Sequence, residues 1–200
     1  MQTVHIKNYQ APPFDRDEIL WYAGARSSWP EIEDLLSECL DEICDKLCYR
    51  VCYTEAQISR KNGSISLDFI KTNSKDLEKH LEDCDKAVIF AATVGLELDR
   101  LITRYSVVSP SKALMLQAIG VERIESLCDT FESEIIGLSR TNNKKTTSRF
   151  SPGYGDLPIY LQKDFFLLLD CSKMIGLTLN DSMMMSPSKS VTAIIGIKNC

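Results

Sequence analysis

The sequence predicts an α+β fold in which a mixed, largely antiparallel sheet packs with helices. Two segments that alternate polar and apolar residues, 49–59 and 64–72, are joined across Asn62-Gly63, a strong hairpin signal. A compact apolar run over 86–93 predicts a buried strand. Apolar residues at helical spacing recur without regular alternation of strand and helix, which favours α+β over α/β.

The N-terminal segment carries start and stop signals for two elements. Residues 3–9 are typical of a short edge strand, and Pro12 and Pro13 end it. A helix is predicted over 15–23 and closed by Gly24. A strand followed by a short helix therefore precedes the rest of the fold.

The next two helices are predicted from their first residues. Ser28 can cap a helix with Pro30 in its first turn, where a missing N–H does no harm. Apolar residues over 32–47 then follow one helix face, and the opposite face is acidic. After the hairpin, Ser74 is predicted to cap a short helix that ends near Leu81.

Pro110 starts the longest predicted helix, which runs to about Ile136 and follows a shorter helical pattern over 97–105. Its apolar face consists of residues at helical spacing: Leu114, Ala118, Val121, Ile124, Cys128, Phe131 and Ile135. Glu125 falls inside this sector, and Glu132 projects near its edge. An inward carboxylate needs a partner, so Glu125 is a candidate ligand contact, with an ordinary salt bridge as the alternative.

The stretch Arg149-Phe-Ser-Pro-Gly-Tyr-Gly-Asp-Leu-Pro158 has too much turn chemistry for a helix or central strand. Its glycines allow positive φ or close approach to a ligand, and its prolines stiffen the path. A guanidinium on such a loop can hold a carboxylate or phosphate, although an exposed arginine on a surface turn is the alternative. Residues 141–147 are interpreted as a solvated, mobile connection into this loop.

The C-terminal part is predicted as a helix over 161–169 and strands over 177–179 and 190–197. Between the strands, Met183 to Met185 could offer an adaptable surface to a flat partner group. Core packing of the three methionines is the interpretation favoured at this point.

Composition and charge exclude several classes of protein. A net charge of −5 argues against a general nucleic-acid binder, which presents a basic face. No apolar run approaches the roughly 20 residues that span a bilayer, and residues 1–9 lack a signal-peptide core. We therefore expect a cytoplasmic protein without nucleic-acid or membrane partners, whose eight cysteines are thiols.

No self-contained catalytic chemistry is visible in the sequence. Phosphate-binding, dinucleotide-binding and nucleophile-elbow motifs are lacking, and neither histidine has a nucleophile at meaningful spacing. Cys44, Cys48 and Cys52 could share a helix face, but no Cys-x-x-Cys pair accompanies them. We predict no catalytic residue and no metal site.

Three sequence blocks carry a resemblance to a known family. They are Arg149-Phe-Ser-Pro-Gly-Tyr154 with Pro158 and Lys163, Ile175-Gly-Leu-Thr-Leu-Asn-Asp-Ser182 with Met185-Ser-Pro187 and Ser190-Val191, and Thr93-Val-Gly-Leu-Glu-Leu-Asp99. Over about residues 85–198 the chain resembles the reactivation domain of cobalamin (vitamin B12)-dependent methionine synthase, which binds S-adenosylmethionine. The resemblance predicts an N-terminal helical and hairpin part over 1–72 and an activation-domain-like part over 73–200, within one continuous domain.

The resemblance implies a set of binding residues. The loop arginine and a helical glutamate of the family contact S-adenosylmethionine, which carries over to Arg149 and Glu125. Ser151 and Gly153 are expected to add backbone contacts, and Tyr154 to shape the site beside the corrin. The segment Gly155-Asp-Leu157 departs from the family's Pro-Ala-Cys.

The function that the resemblance implies is that of a stand-alone reactivation subunit of methionine synthase. It would bind S-adenosylmethionine for reductive methylation of inactive cob(II)alamin on a cobalamin-binding methionine synthase or other corrinoid protein. Flavodoxin or ferredoxin would supply the electron. The alternative is a corrinoid-protein binding or chaperone module that does not itself bind S-adenosylmethionine, because the family's ligand-contacting C-terminal segment has no counterpart here.

Overall fold

The computed structural model describes residues 3–25, 29–61, 63–68 and 70–199. The predicted helix cap Ser28 and the hairpin residue Asn62 lie outside these ranges. Within them, no helix combines the length and apolar character that crossing a membrane requires.

Helices and strands alternate irregularly along the chain. The strands are β1 (His5–Tyr9), β2 (Tyr49–Lys61), β3 (Ser64–Leu67), β4 (Ile70–Thr72), β5 (Cys84–Thr93), β6 (Lys144–Thr146), β7 (Thr178–Leu179), β8 (Met185–Ser186) and β9 (Ser190–Asn199). The helices are α1 (Arg16–Tyr22), α2 (Pro30–Ile43), α3 (Lys75–His80), α4 (Glu97–Val108), α5 (Pro110–Thr141), α6 (Gln162–Leu169) and α7 (Cys171–Ile175), with a short 3₁₀ helix (Ile159–Leu161) before α6. Helix α5 is longer than predicted because its regular structure continues five residues past Ile136.

The main sheet has the strand order β4-β3-β2-β5-β9-β6. Strand β1 pairs with the first residues of β2, whereas β3 pairs with its last residues. All of these pairings are antiparallel, and β7 and β8 form a separate small hairpin. The predicted α+β class with a largely antiparallel sheet is confirmed. The pairing of β2 with β5 joins the two predicted parts of the chain, whose division at residue 72 stays a prediction.

Strand parity distributes the apolar residues over two faces of the sheet. Phe90, Ala193 and Ile195 face the C-terminal half of α5. Ile89 and Ile194 face α6 and α7 on the other side. A third apolar cluster joins α1, α2 and α4 to the N-terminal half of α5, so α5 connects the sheet to a helical layer. Leu114 was predicted on the apolar face but is largely exposed.

An ion pair that the sequence did not reveal ties the N-terminal segment to α5. Arg123 and Glu122 are both fully buried and bonded to each other. The same guanidinium donates to the carbonyl oxygens of Pro12 at 2.6 Å and Pro13 at 2.7 Å, and it lies over the ring of Phe14. Each of its nitrogens therefore has an acceptor, as a buried charge requires.

Seven cysteines lie in the described residues, and all are free thiols. This agrees with the predicted reduced state. Burial raises the pKa of the Cys39 thiol to about 11 and that of Cys128 to about 12, so these thiols pack as small apolar groups rather than react.

Candidate ligand-binding site

Strand β6 precedes the proline-rich loop, which runs from Arg149 to Pro158. Strand β6 pairs with the last residues of β9, with Thr146 opposite Ile197 and Lys144 opposite Asn199. The prediction of a mobile connection over 141–147 is therefore wrong. The sequence is polar because this strand lies at the edge of the sheet, where one side of the backbone meets solvent.

The edge strand contains one extra residue just before the loop. Thr146 lies opposite Ile197, but Phe150 lies opposite Ile194. The edge segment therefore advances four residues while β9 advances three. One extra residue in one of two paired strands is a β-bulge, which changes the direction of the side chains that follow it. Phe150 thereby packs with Ile194 on the α6–α7 face, and Arg149 faces α5.

Helix α3 holds the loop where it begins. The His80 Nε2 atom donates a 2.8 Å hydrogen bond to the carbonyl oxygen of Ser148, which belongs to the extra-residue segment. The His80 ring also lies 4.8 Å from the ring of Phe150, centroid to centroid. The bulge therefore has a partner for its carbonyl and a neighbour for its aromatic side chain.

The same helix holds the loop where it ends. Asp156 accepts hydrogen bonds from the backbone N–H groups of Lys75 at 2.8 Å and Asp76 at 3.2 Å, and from the Ser74 hydroxyl. In return the Asp76 carboxylate accepts the Asp156 N–H at 3.0 Å. The bond from Ser74 and the helix N–H groups lower the pKa of the Asp156 carboxyl, because they favour its charged form. Gly155 is required here, since its φ is +52° and a Cβ would collide with Asp76.

Arg149 lies among three carboxylates of α5. Its Nη2 atom is 3.1 Å from Glu125 and 2.7 Å from Asp129, and its Nε atom is 3.3 Å from Glu132. These acids occupy one stripe of the helix because they are spaced four and three residues apart. Their side chains differ in exposure: 40% for Glu125, 68% for Asp129 and 17% for Glu132.

Glu132 is the most buried acid of this group. Burial raises the pKa of its carboxyl more than the Arg149 guanidinium lowers it. Glu125, the predicted inward-facing acid, lies instead at the rim of the apolar face, because its side chain bends towards Arg149. The two predicted residues are thus in direct contact in this structure.

A cavity of about 420 Å³ opens beside this cluster. It is lined by residues of α5, the loop and the residue before it, α6, β8 and the beginning of β9: Glu125, Glu132, Ser148, Arg149, Ser151, Pro152, Tyr154, Gln162, Met185, Ser190, Val191 and Thr192. Among the residues that the structure describes, the lining contains no cysteine or histidine. The arrangement is suited to binding and orienting a ligand.

Three buried polar atoms of this lining have no hydrogen-bond partner: Arg149 Nη1, Gln162 Oε1 and Thr192 Oγ1. The residues Gln162 and Thr192 are only 6% and 2% exposed. A buried polar group without a partner is costly, and native proteins retain few of them. All three residues line the same cavity, so this is where the described part of the chain concentrates its unsatisfied polar atoms.

Four of the five predicted site residues line this cavity: Arg149, Glu125, Ser151 and Tyr154. Gly153 does not, because its N–H donates to the Leu157 carbonyl at 2.8 Å inside the loop. Its φ of +95° shows that it shapes the turn. Tyr154 is largely exposed at the cavity mouth.

None of Met183, Met184 and Met185 is fully buried, and only Met185 packs against the apolar cluster on the α6–α7 face. Met184 is strongly exposed, and Met185 lines the cavity. The core packing favoured for Met184 is therefore wrong: it lies in the turn between β7 and β8, next to Met183, whose φ is +62°.

Sequence reasoning missed several residues of the site. Asp129 carried a usable signal, because it shares a helix stripe with Glu125 and Glu132. Gln162 and Thr192 carried none, since their burial depends on how α6 packs against β9. Fold and cavity together define an α+β domain with a polar-lined cavity between a long helix and the edge of its sheet.

Comparison with known proteins identifies the family of this domain. The family model for the activation domain of vitamin B12 dependent methionine synthase matches residues 49–199. The chain therefore belongs to this family, and the resemblance predicted from the sequence blocks is confirmed.

A solved structure of the MetH reactivation domain bound to AdoHcy has a similar fold. The TM-score is 0.69 at 16% sequence identity, over 98% of this chain and 78% of that chain. This likeness extends the shared fold to nearly the whole chain, including the N-terminal helices. No curated protein sequence matches the chain.

Proposed function

We propose that the chain binds S-adenosylmethionine in the cavity beside Arg149 and presents its methyl group to cobalamin on a partner protein. The observation that carries this proposal is the convergence of three unpartnered buried polar atoms on one cavity. Membership of the activation-domain family supports it. The similar solved domain holds AdoHcy, the demethylated form of the same molecule.

The size and charge of the cavity suit this ligand. A volume of about 420 Å³ lies in the range of small-molecule sites. The free Nη1 of Arg149 can donate to the carboxylate of the amino acid, and Glu125 can accept from its ammonium group. Ligand binding need not break a strong bond, since the pair with the mostly exposed Asp129 contributes little.

The residues of the chain would supply position rather than acid–base chemistry. When bound, S-adenosylmethionine supplies an electrophilic methyl group, which reductive methylation of oxidised cobalamin consumes together with one electron from flavodoxin or ferredoxin. Arg149 and Glu125 would fix the amino acid end, which sets the direction in which the methyl group points. Tyr154, exposed where it lines the cavity, and Met184, exposed next to the cavity-lining Met185, would form the surface that the corrin contacts.

Calorimetric titration of S-adenosylmethionine tests this proposal. Wild type is expected to bind, and Arg149→Met is expected to bind about 10- to 100-fold more weakly, because it loses a charge-assisted bond. Arg140→Met is the matched control, since Arg140 is exposed and outside the cavity. Absence of heat with wild type, both alone and with a corrinoid protein, would overturn the proposal.

A second function is favoured by the three carboxylates that already surround Arg149. They suit a structural role for this arginine in a domain that docks on a corrinoid protein without binding S-adenosylmethionine. This alternative predicts binding of the corrinoid protein with no response to S-adenosylmethionine. Titrating the corrinoid protein with and without the small molecule separates the two functions.

A further inference from the structure

The cavity has two walls of different chemistry. One wall is charged and consists of Arg149, Glu125 and Glu132. The other is neutral and polar, and it carries Gln162 on α6 and Thr192 on β9. Both neutral residues are more than nine-tenths buried and present an unpartnered oxygen.

The backbone of β9 adds further hydrogen-bonding groups to the neutral wall. Ile194 exchanges both of its backbone hydrogen bonds with Phe150, at 2.8 and 2.9 Å, so its N–H and C=O point to the outer edge of the sheet. In an antiparallel strand this orientation repeats every second residue. Thr192 therefore directs its N–H and C=O to the same edge, where no described strand pairs with it.

A ligand with one charged end and one neutral polar end can bind between these walls in only one favourable orientation. The amino acid half of S-adenosylmethionine carries its charges, whereas the adenosine half carries hydroxyls and ring nitrogens. A charged group placed beside Gln162 and Thr192 would lose water without gaining a counter-charge. The neutral half can instead exchange hydrogen bonds with both side chains and with the strand edge.

We infer that Gln162 and Thr192 bind the nucleoside half of the ligand and so fix its orientation opposite Arg149. This inference rests on the proposed function and deepens it, since it assigns a second contact region to the same cavity. Gln162 accepts through Oε1, and the Thr192 hydroxyl can both donate and accept. Neither residue titrates, so their contribution is independent of pH.

Two ligands and three variants test this assignment. S-adenosylmethionine has both halves, and 5′-methylthioadenosine has the nucleoside without the amino acid. Gln162→Met and Thr192→Val preserve side-chain size, and each is expected to weaken both ligands by about tenfold. Arg149→Met is expected to weaken S-adenosylmethionine and to leave 5′-methylthioadenosine unchanged.

Thermal unfolding of the unliganded variants separates ligand contact from structural support. Removing an unpartnered buried oxygen should leave the midpoint temperature equal or raise it, while affinity falls. A structural role would lower both together. Thr192→Ser, which keeps the hydroxyl, is expected to retain wild-type affinity.

Two results would overturn the inference without touching the proposed function. One is wild-type affinity for both ligands in Gln162→Met and Thr192→Val. The other is a loss confined to S-adenosylmethionine, which would place the amino acid at the neutral wall. If the wild-type protein binds neither ligand, both the proposed function and the inference fail.

Discussion

Two arginines at helix α5, Arg123 within it and Arg149 packed against it from the loop, differ in their hydrogen bonding. Arg123 is fully buried and meets Glu122 and two proline carbonyls, so each of its nitrogens has an acceptor. Arg149 contacts three carboxylates, yet its Nη1 has no partner. Completeness of hydrogen bonding, rather than the number of opposite charges, therefore distinguishes the structural arginine from the one that can receive a ligand.

The largest expected effect is the loss of stability in Arg123→Met. The substitution leaves the Glu122 carboxylate buried and unpaired, which costs about 3–5 kcal/mol. Equilibrium unfolding in urea measures this loss. The double variant Arg123→Met with Glu122→Gln should recover a large part of it, because no charge is then left alone. A loss below about 1 kcal/mol in the single variant would contradict the structural role.

Arg149→Met should cost less stability than Arg123→Met. Of the three acids that contact Arg149, Glu125 and Asp129 are exposed enough to be solvated. The third, Glu132, can take up a proton. We expect a loss of about 1–2 kcal/mol, between the values of exposed and buried pairs, in the same urea experiment. Equal losses in the two variants would remove the distinction between these arginines.

The pH dependence of stability should report on Glu132. Its pKa in the folded protein lies above its ordinary value of 4.5, so the folded state holds this proton more tightly than the unfolded state. The contribution of Glu132 to stability therefore falls as pH rises from about 4.5 through the raised pKa. Glu132→Gln should flatten this part of the curve of unfolding free energy against pH. An unchanged slope would show that the carboxyl is not perturbed.

The smallest expected effect concerns the contacts between the loop and α3. Asp156→Asn loses the charge that accepts from the start of α3, so the loop that carries Arg149 is held less firmly. We expect a roughly two- to threefold loss of affinity for S-adenosylmethionine, comparable to a weakened helix cap. Because the pKa of Asp156 is lowered, wild-type affinity should stay level near neutral pH and fall only in acid. Asp164→Asn, outside the cavity and these contacts, is the matched control.

Local signals predicted much of the fold. Ser74 caps α3 as expected, with its side chain accepting from Leu77 N–H. The antiparallel pairing of β2 and β3 confirms the hairpin, and Pro110 begins α5. These features depend on a few neighbouring residues, whose turn and capping chemistry is readable in sequence.

The site was less predictable because its residues meet through tertiary packing. Arg149 and Glu125 were placed together through the family motif, and the structure joins them at 3.1 Å. Gln162 and Thr192 belong to elements whose relative packing no local pattern encodes. The polar residues of β6 gave a loop-like composition, although pairing with β9 makes them a strand.

The extra residue ahead of Arg149 sets a rule of parity for this part of the chain. Because neighbours along a strand alternate between faces, uninterrupted pairing from Thr146 opposite Ile197 would bring Arg149 opposite Ile194 and turn its charge into the apolar layer beneath the sheet. The extra residue lets Phe150 take that place instead, so the aromatic ring fills the apolar layer and the guanidinium stays on the α5 side.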